Sequence, residues 1–350
     1  MANMGFSRKV SKFKVSVLPD FYFDRIVSVP SFKRLFRQVE LKGASGGGNL
    51  RGFSQIERRG GNATNLAYGL ASLSVNTRLY CVGDGRAQAA LANRPRNCHV
   101  KVIPGKPGYT TALEFSLKGK PVNVMISDVG DIGDFDGQSL DHDDILCLES
   151  SDCVALVNWS SNRKGNALAS KVFGLKGRKG RLNFLDPADL TGAEGRVKVL
   201  VKEVIRRDLV DVVSLNENEI RIMARVLSAG RLPRNYKRRD LVRVSATLQD
   251  VLGVTLDVHT PIGSLSSTEL GQTWVGAFGK IAGFVTGAGD VWDAGDLVGH
   301  LVDLQAQDRL RFANASAYLY LRSRNRRMPT LRQTTEFLGA RNCLSPRDWG

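Results

Sequence analysis

Short apolar runs rich in β-branched residues alternate with longer amphipathic stretches along most of the chain. The short runs have the length and composition of buried strands, and they are KVSVL (14–18), TRLYCV (77–82), HVKVI (99–103), CVALVN (153–158), LNFLD (182–186), VDVVSL (210–215) and VTLDVH (254–259). The longer stretches have helical spacing and cover residues 63–73, 163–175, 193–208, 217–229 and 239–252. Such alternation predicts a doubly wound α/β fold, with a mainly parallel sheet covered by helices on both faces.

Three regions depart from this alternation. Residues 289–305 and 307–324 predict two consecutive helices that would cover one face of the sheet. Residues 109–127 predict a β-hairpin that turns at LKGK, and residues 21–59 alternate irregularly around a glycine-rich stretch. We expect 21–59 and 109–127 to form a small β lid over the carboxyl edge of the sheet, where open α/β folds bind ligands. The alternative is that these strands extend the main sheet.

Composition and charge narrow the class of protein. The chain has 350 residues, 42% of them hydrophobic, which is enough for a sizeable core. No apolar run approaches the roughly 20 residues of a membrane span. The net charge is +16, but the basic residues fall in separate blocks without a zinc-finger or RNA-recognition motif, so we do not expect a nucleic-acid partner. Five cysteines without a CxxC pair favour a reducing cytoplasm.

The strongest chemical motif is Thr286-Gly287-Ala288-Gly289-Asp290, which leads into an apolar helical pattern. Small residues at 287–289 let main-chain N–H groups converge at a helix N-terminus, where anions bind. An acid beside bound phosphate suits a base that accepts a proton from a hydroxyl. The alternative is a tight turn followed by an acid that the helix dipole favours.

A second motif is Gly60-Gly61, followed by a helical pattern that carries Asn62 and Asn65. Two glycines allow a polar ligand to approach the backbone closely, and an amide side chain can then hydrogen-bond its hydroxyl groups. The alternative is that Asn62 only caps the helix.

Together these motifs resemble those of the ribokinase-like kinases, also called the phosphofructokinase-B type, which phosphorylate carbohydrates and nucleosides. GG-x-x-x-N precedes TGAGD as in that family, and NENE (216–219) between them resembles its N-x-x-E motif. VSVLPDFYFD (15–24) resembles its first strand with a trailing acid, and residues 311–330 resemble its C-terminal helix. The resemblance covers roughly residues 14–340.

The resemblance implies a ribokinase-like domain made of residues 1–20 and 60–340, a β lid made of 21–59 and 109–127, and a C-terminal tail, 341–350. It implies that ATP, with Mg²⁺, phosphorylates a hydroxymethyl group of a sugar or sugar derivative. It also implies a cytoplasmic protein and a lid that is a candidate homodimer contact.

The same resemblance assigns roles to individual residues. The catalytic set is the base Asp290 and an anion hole of main-chain N–H groups at Gly287, Ala288 and Gly289. The acceptor-binding residues are Asp24, Gly61 and Asn65. The nucleotide-binding residues are Asn216, Thr260, Gly263 and Asn314. Mg²⁺ would be held through water by Asn216 and Glu219, although helix capping explains that pair equally.

The chain also departs from the family pattern. Phe284 and Val285 stand where the family commonly has Asp-Thr. Since neither side chain offers an oxygen to a monovalent cation, we expect activity without K⁺. HTPIGSLSS (259–267) matches the family's T-x-G-x-x-G loop only in part. The acidic run DVGDIGDFDG (128–137) lacks a calcium-binding register and predicts a solvated loop.

The acceptor stays open at this point. Aromatic residues near the predicted lid favour a nucleoside, and they are Phe21, Tyr22, Phe23, Phe32 and Phe36. Cationic residues there favour a sugar phosphate, and they are Lys33, Arg37, Arg58 and Arg59. Our interpretation is a carbohydrate kinase. A nucleoside kinase is the alternative, and a non-catalytic nucleotide- or nucleic-acid-binding relative is a third hypothesis.

Overall fold

The computed structural model describes residues 2–279, 283, 286–323 and 325–340. The strands are β1 (Lys14–Leu18), β2 (Tyr22–Ser28), β3 (Gln55–Gly60), β4 (Asn76–Gly83), β5 (Cys98–Pro104), β6 (Gly108–Leu117), β7 (Lys120–Asp128), β8 (Cys153–Val157), β9 (Leu182–Asp186), β10 (Val212–Asn216), β11 (Thr255–Thr260), β12 (Gly263–Thr268) and β13 (Gly271–Gly276). The helices are α1 (Ala2–Val10), α2 (Phe32–Ala44), α3 (Asn62–Ser72), α4 (Gly85–Ala90), α5 (His142–Glu149), α6 (Gly165–Phe173), α7 (Glu194–Glu203), α8 (Glu217–Val226), α9 (Arg238–Leu252), α10 (Ala288–Leu301), α11 (Ala306–Arg322) and α12 (Leu331–Ala340).

The main sheet has nine strands in the order β13-β12-β11-β10-β9-β8-β1-β4-β5. The pairs from β5 to β11 are parallel, whereas β12 and β13 form an antiparallel hairpin at one edge. The doubly wound, mainly parallel fold expected from the sequence is confirmed. The predicted strands and helices recur with ends shifted by a few residues, and the β12–β13 hairpin is an addition that the sequence pattern did not reveal.

Successive residues of each central strand enter two different cores, as a sheet covered on both faces requires. In β8, Val154 and Leu156 pack with helices α6 to α9, while Ala155 and Val157 pack with α3, α10 and α11. All five residues of β8 are buried. This explains why the strand reads as a continuous apolar run rather than an alternating one.

Helices α3 and α10 approach closely because small residues line their contact. A β-carbon placed on Gly69 of α3 would lie 2.9 Å from the β-carbon of Ala294 in α10. On its other side, a β-carbon on Gly295 would lie 2.7 Å from the α-carbon of Ala313 in α11. The N-termini of α3 and α10 therefore meet at the carboxyl edge of the sheet.

The second sheet has the order β3-β2-β6-β7 and corresponds to the expected lid. The predicted hairpin is confirmed, since β6 and β7 pair antiparallel around Lys118 and Gly119. Residues 21–59 supply β2 and β3 to this sheet, and they also contain the helix α2, which was not predicted from the sequence. Ser31 caps this helix by accepting a hydrogen bond from the main-chain N–H of Arg34 at 3.3 Å. No residue of α2 is buried, although its apolar residues have the spacing of a strongly amphipathic helix.

The acidic run 128–137, predicted to be a solvated loop, buries Ile132 and Phe135 in the core, while its acidic side chains stay at the surface and two of them pair with lysines. Lys106 Nζ lies 2.6 Å from Asp128 Oδ2, and Lys164 Nζ lies 3.0 Å from Asp136 Oδ2. Among the described residues no helix has the length and apolar character needed to cross a membrane.

A buried ionic cluster ties the C-terminal half of α10 to the sheet. Arg309 of α11 donates to Asp257 Oδ2 at 2.7 Å and to Asp257 Oδ1 at 3.1 Å, and it also donates to Asp296. His300 Nε2 lies 2.9 Å from Asp257 Oδ2. Arg309 is only 4% exposed, so water cannot stabilise its charge or the charges of the two carboxylates. Each buried charge is therefore stabilised mainly by its oppositely charged partners.

Replacing Arg309 with alanine should lower the free energy of unfolding by about 3–5 kcal/mol, because two buried carboxylates lose their partner. Chemical denaturation measures this loss. The matched control is Arg243→Ala, which removes an exposed arginine 3.8 Å from Asp240 and should cost no more than about 1 kcal/mol. A loss for the Arg309 variant as small as that of the control would contradict the role of the cluster.

Candidate active site

A cavity of about 760 Å³ opens at the carboxyl ends of the central strands, beneath the lid. Its lining comes from the start of α3, the lid strands, the loops after β8 to β11 and the helices α10 and α11. It includes every site residue proposed from the sequence except Gly263, and these are Asp24, Gly61, Asn65, Asn216, Glu219, Thr260, Gly287, Ala288, Gly289, Asp290 and Asn314. The structure therefore places residues from distant parts of the sequence around one space.

Asp290 lies in the first turn of α10 and is 7% exposed. The Nδ2 group of Asn62 donates to Asp290 Oδ1 at 2.9 Å, and that of Asn65 donates to Asp290 Oδ2 at 2.8 Å. Asn62 is not the cap of α3, since the cap position is held by Gly61. Both amides of α3 instead fix the orientation of the carboxyl group.

The surroundings of Asp290 disfavour its ionised form. Burial raises the pKa of Asp290 well above its ordinary value, and the charges of Asp186 and Asp20 raise it further. The hydrogen bonds from Asn65 and Asn62 act in the opposite direction. A carboxylate with a raised pKa binds a proton more tightly, which suits a general base.

The turn before Asp290 requires small residues. Gly287 has a φ of 78°, and a β-carbon there would lie 2.7 Å from Tyr320 Oη. A β-carbon on Gly289 would lie 3.1 Å from His259 Cε1. The main-chain N–H groups in the first turn of a helix have no partner within it, so residues 287–289 offer donors to an anion in the cavity.

One end of the cavity lies against the inner face of the lid. Asp24 on β2 faces the cavity, and burial followed by the charge of Asp20 raises its pKa to about 6. The Thr110 hydroxyl donates to Asp24 and lowers that pKa. Asp24 packs over Gly60, where a β-carbon would lie 1.9 Å from its Oδ2 atom. The first glycine of the motif therefore makes room for this acid.

Asn216 and Glu219 form a capping box at the start of α8. Asn216 Oδ1 accepts from the N–H groups of Asn218 at 2.8 Å and Glu219 at 3.1 Å. Glu219 Oε2 in turn accepts from the N–H of Asn216 at 2.7 Å. The capping role considered as the alternative thus exists, and both residues also line the cavity.

Thr260, Gly263 and Asn314, the residues proposed to contact a nucleotide, form hydrogen bonds within or next to the β12–β13 hairpin. Thr260 Oγ1 donates to the carbonyl of Gly263 at 2.7 Å, and Asn314 Oδ1 accepts from Trp292 Nε1 at 2.8 Å. Gly263 does not line the cavity, because a β-carbon on it would lie 2.5 Å from the carbonyl oxygen of Val275. This segment is a β-turn between β11 and β12 rather than an open loop, and the nucleotide contact expected at Gly263 stays a prediction.

Comparison with known proteins identifies the family. The family model described as pfkB family carbohydrate kinase matches residues 33–331. The chain belongs to this pfkB carbohydrate kinase family. A search of the curated proteins found no matching sequence.

Solved structures share the pfkB-family fold at low sequence identity. An adenosine kinase from Sinorhizobium meliloti matches with a TM-score of 0.72 and 16% identity, over 94% of this chain and 100% of that chain. A ribokinase from Thermotoga maritima gives 0.69 and 15%, over 93% and 99%. Phosphofructokinase-2 from Escherichia coli gives 0.66 and 14%, over 94% and 98%. At these identities the likeness shows the fold and does not select an acceptor.

Three residues at this pfkB-family site did not emerge from the sequence. Asp20 and Asn158 follow the adjacent strands β1 and β8, and Asn158 Nδ2 donates to Asp20 Oδ2. Both residues come just after buried strands, and that position is the sequence signal that could have revealed them.

The third residue is His259. Burial lowers the pKa of His259 to about 4, so the ring is neutral, and it packs against Trp292 with ring centroids 5.0 Å apart.

Phe284 and Val285, the departure from the family's Asp-Thr pair, lie outside the described residues. The independence from K⁺ expected from them stays a prediction.

Proposed function

We propose that this pfkB-family protein transfers the γ-phosphoryl group of ATP to a hydroxymethyl group of an uncharged sugar or sugar derivative. The observation that carries the proposal is the arrangement of Asp290. Two amides of α3 hold its buried carboxyl in the first turn of α10, in a cavity that lies beneath the lid.

In the proposed reaction Asp290 accepts the proton of the acceptor hydroxyl. The hydroxyl oxygen forms a bond to the γ-phosphorus while the bond from that phosphorus to the β–γ bridging oxygen breaks, which releases ADP. The N–H groups of residues 287–289 stabilise the charge on the transferred group. The lid excludes water, which strengthens these interactions and limits hydrolysis of ATP.

The donor atoms beside α8 fit a hard divalent cation. Burial raises the pKa of Glu219 well above its ordinary value, and the carboxyl groups of Asp186, Asp189 and Glu217 raise it further. Arg221 donates to Asn218 Oδ1 at 2.6 Å and lowers the pKa of Glu217, but the net effect of these surroundings on Glu219 is a raised pKa. A divalent cation such as Mg²⁺ would relieve the remaining excess of carboxylate oxygens. Asn216 and Glu219 would hold Mg²⁺ through water, and the bound ion would offset negative charge on the ATP phosphates.

The lining of the cavity supports an uncharged acceptor over a sugar phosphate. Among the described residues that line it there is no lysine or arginine. Four cations were considered from the sequence. Arg59 lies over the ring of Tyr68, Lys33 and Arg37 lie on α2, and Arg58 lies opposite Asp24 in the β2–β3 pair, but none of the four lines the cavity. A phosphate at the acceptor end would thus meet Asp24 without a lining cation to offset its charge.

The aromatic residues give weaker support to a nucleoside, which stays the alternative acceptor. Tyr22 lines the cavity, but Phe21 is fully buried in the core and Phe23 stacks on Tyr109. Phe32 stacks on Phe115 with centroids 4.7 Å apart. Amide and hydroxyl side chains supply most of the acceptor end, as a polyhydroxylated sugar requires, and they include Asn65, Thr110, Ser127, Asn158, Ser160 and Ser161.

A cytoplasmic location and a homodimer contact through the lid belong to the same proposal. The edge strand β7 supports the contact, since Val124, Met125 and Ile126 are 45%, 50% and 63% exposed. An exposed apolar edge strand is a template for pairing with another chain.

Asp290→Asn should reduce kcat about 10²–10⁴-fold while ATP binding is preserved, because the variant lacks the base. In the wild type, the base must be ionised and its pKa is raised. Activity should therefore be complete above that pKa and fall as the pH decreases through it. Steady-state kinetics across pH measures both effects. An Asn variant within about threefold of wild type would exclude Asp290 as the base.

Glu219→Gln should raise the Mg²⁺ concentration for half-maximal activity roughly tenfold, equivalent to about 1.4 kcal/mol, because glutamine removes the charge and keeps an acceptor for the N–H of Asn216. Mg²⁺ titration of ADP release measures this change. Glu203→Gln on the surface of α7 is the control with the same loss of charge. An unchanged Mg²⁺ requirement with a lower melting temperature would assign Glu219 to capping alone.

Asp24→Ala should weaken acceptor binding by about 1–3 kcal/mol, since an acceptor hydroxyl loses its partner. Calorimetry with a sugar that supports turnover, and separately with ATP, compares the two ligands. Arg25→Ala is the matched control, because Arg25 lies on the same strand and pairs with Glu57 on the opposite face. Equal weakening of both ligands would show that the lid is displaced rather than that a contact is lost.

A further inference from the structure

We propose that Asp20 is a positioning residue, which orients the catalytic base by anchoring the N-terminus of α3. The inference rests on the proposed function of Asp290 and adds a residue that does not touch the reacting groups. Asp20 lies in the loop after β1, is 0% exposed and does not line the cavity.

The first step is the contact between Asp20 and α3. Asp20 Oδ1 accepts from the main-chain N–H of Ala63 at 2.6 Å, and the N–H of Asn62 also donates to this carboxyl group. The hydroxyl of Thr64 donates to the carbonyl oxygen of Asp20 at 3.0 Å. Three successive residues of the first turn of α3 thus bind one residue of the loop after β1.

The second step is that α3 has no capping side chain of its own. Its cap position is Gly61, with a φ of 102°, and no side chain there can accept from the first turn. A β-carbon on Gly61 would lie 3.2 Å from both the carbonyl oxygen and Oδ1 of Asp20. The glycine lets the chain close against Asp20, which therefore acts as the cap from another element.

The third step is that the carboxylate depends on α3 in return. Among the ion pairs of the described residues Asp20 takes part in none. Burial raises the pKa of Asp20 to about 6, and the N–H of Ala63, the amide of Asn158 and the N–H of Asn62 lower it. The N-terminus of α3 and the amide of Asn158 are thus the partners that offset its negative charge. Because a buried charge is costly to leave uncompensated, this contact fixes the helix terminus firmly.

The last step leads from α3 to the base. Asn62 and Asn65 are three residues apart, so both amides lie on one face of the helix, and they reach the two oxygens of Asp290. A tilt of the first turn would lengthen both hydrogen bonds together. Asp20 thereby controls the orientation of Asp290 without contacting the substrate.

Asp20 also acts on Asp290 through its charge. Burial raises the pKa of Asp290 first, and Asp186 after β9 and Asp20 after β1 raise it further, whereas the amides of α3 lower it. The other titratable groups facing Asp290 are Asp293 on the same helix and Tyr320 on α11. Removing the charge of Asp20 should therefore shift the acid limb of the pH profile.

The test compares Asp20→Asn with the wild type. We expect kcat to fall at least tenfold with the KM for ATP unchanged, and we expect the acid limb of kcat/KM to move to lower pH. Asp84→Asn is the matched control, since Asp84 caps α4 by accepting from Ala87 N–H at 2.9 Å and does not line the cavity. It should keep the wild-type rate and pH profile.

A double-mutant cycle tests the path through α3. If Asp20 acts through the amide of Asn62, the kcat of the double variant Asp20→Asn, Asn62→Ala should be no lower than the kcat of the less active single variant. Independent, multiplying losses would overturn the proposal, as would a change confined to the acceptor KM. Thr64→Val supplies a second test if Asp20→Asn fails to fold, because it loosens the same contact, and an unchanged kcat in it would count against the proposal.

The outcome separates the two hypotheses. An inactive Asp290→Asn together with a fully active Asp20→Asn would overturn the role of Asp20 and leave the proposed function in place. Wild-type activity in Asp290→Asn would contradict the proposed function itself.

Discussion

The close packing of α3 against α10 is the constraint on which the site depends. The helices meet through Gly69 and Ala294, and a larger residue at Gly69 would force them apart. Their N-termini then converge at the carboxyl edge of the sheet, so the amides of α3 reach the carboxyl group of Asp290. The orientation of this acid and the position of the glycine-rich turn before it both follow from this one contact between helices.

The buried carboxyl groups of the molecule divide into two kinds according to their partners. Toward the C-terminus of α10, Arg309 and His300 neutralise Asp257, and they hold its pKa well below the ordinary value although burial acts to raise it. Around the cavity no arginine or lysine of the described residues does the same, and burial dominates. The carboxyl groups with raised pKa values there are Asp20, Asp24, Asp186, Glu219, Asp290 and Asp293.

The two ends of α10 therefore differ in role: the C-terminal half binds the helix to its neighbours, and the N-terminal end lies at the cavity. Arg309 joins the C-terminal half of α10 to β11, β12 and α11 through hydrogen bonds with Asp257, Asp296 and Ser266, although burial still raises the pKa of Asp296. Around the cavity, carboxyl groups with raised pKa values bind a proton more tightly, which is the property that acid–base chemistry needs.

The sequence by itself determined the fold class, because long alternation of buried strands and amphipathic helices is a local signal that survives without tertiary information. It also found Asp290 and the turn before it, since those residues are contiguous. It did not reveal the β12–β13 hairpin, whose serines and glycines lack strand character. The assignment of residues 21–59 to a β lid also missed α2, although the spacing of its apolar residues is helical. Only the tertiary structure decided the partners of Asp290 and the role of Asp20. Residues 20, 62 and 290 are far apart in sequence, and the packing of helices on the sheet alone brings them together.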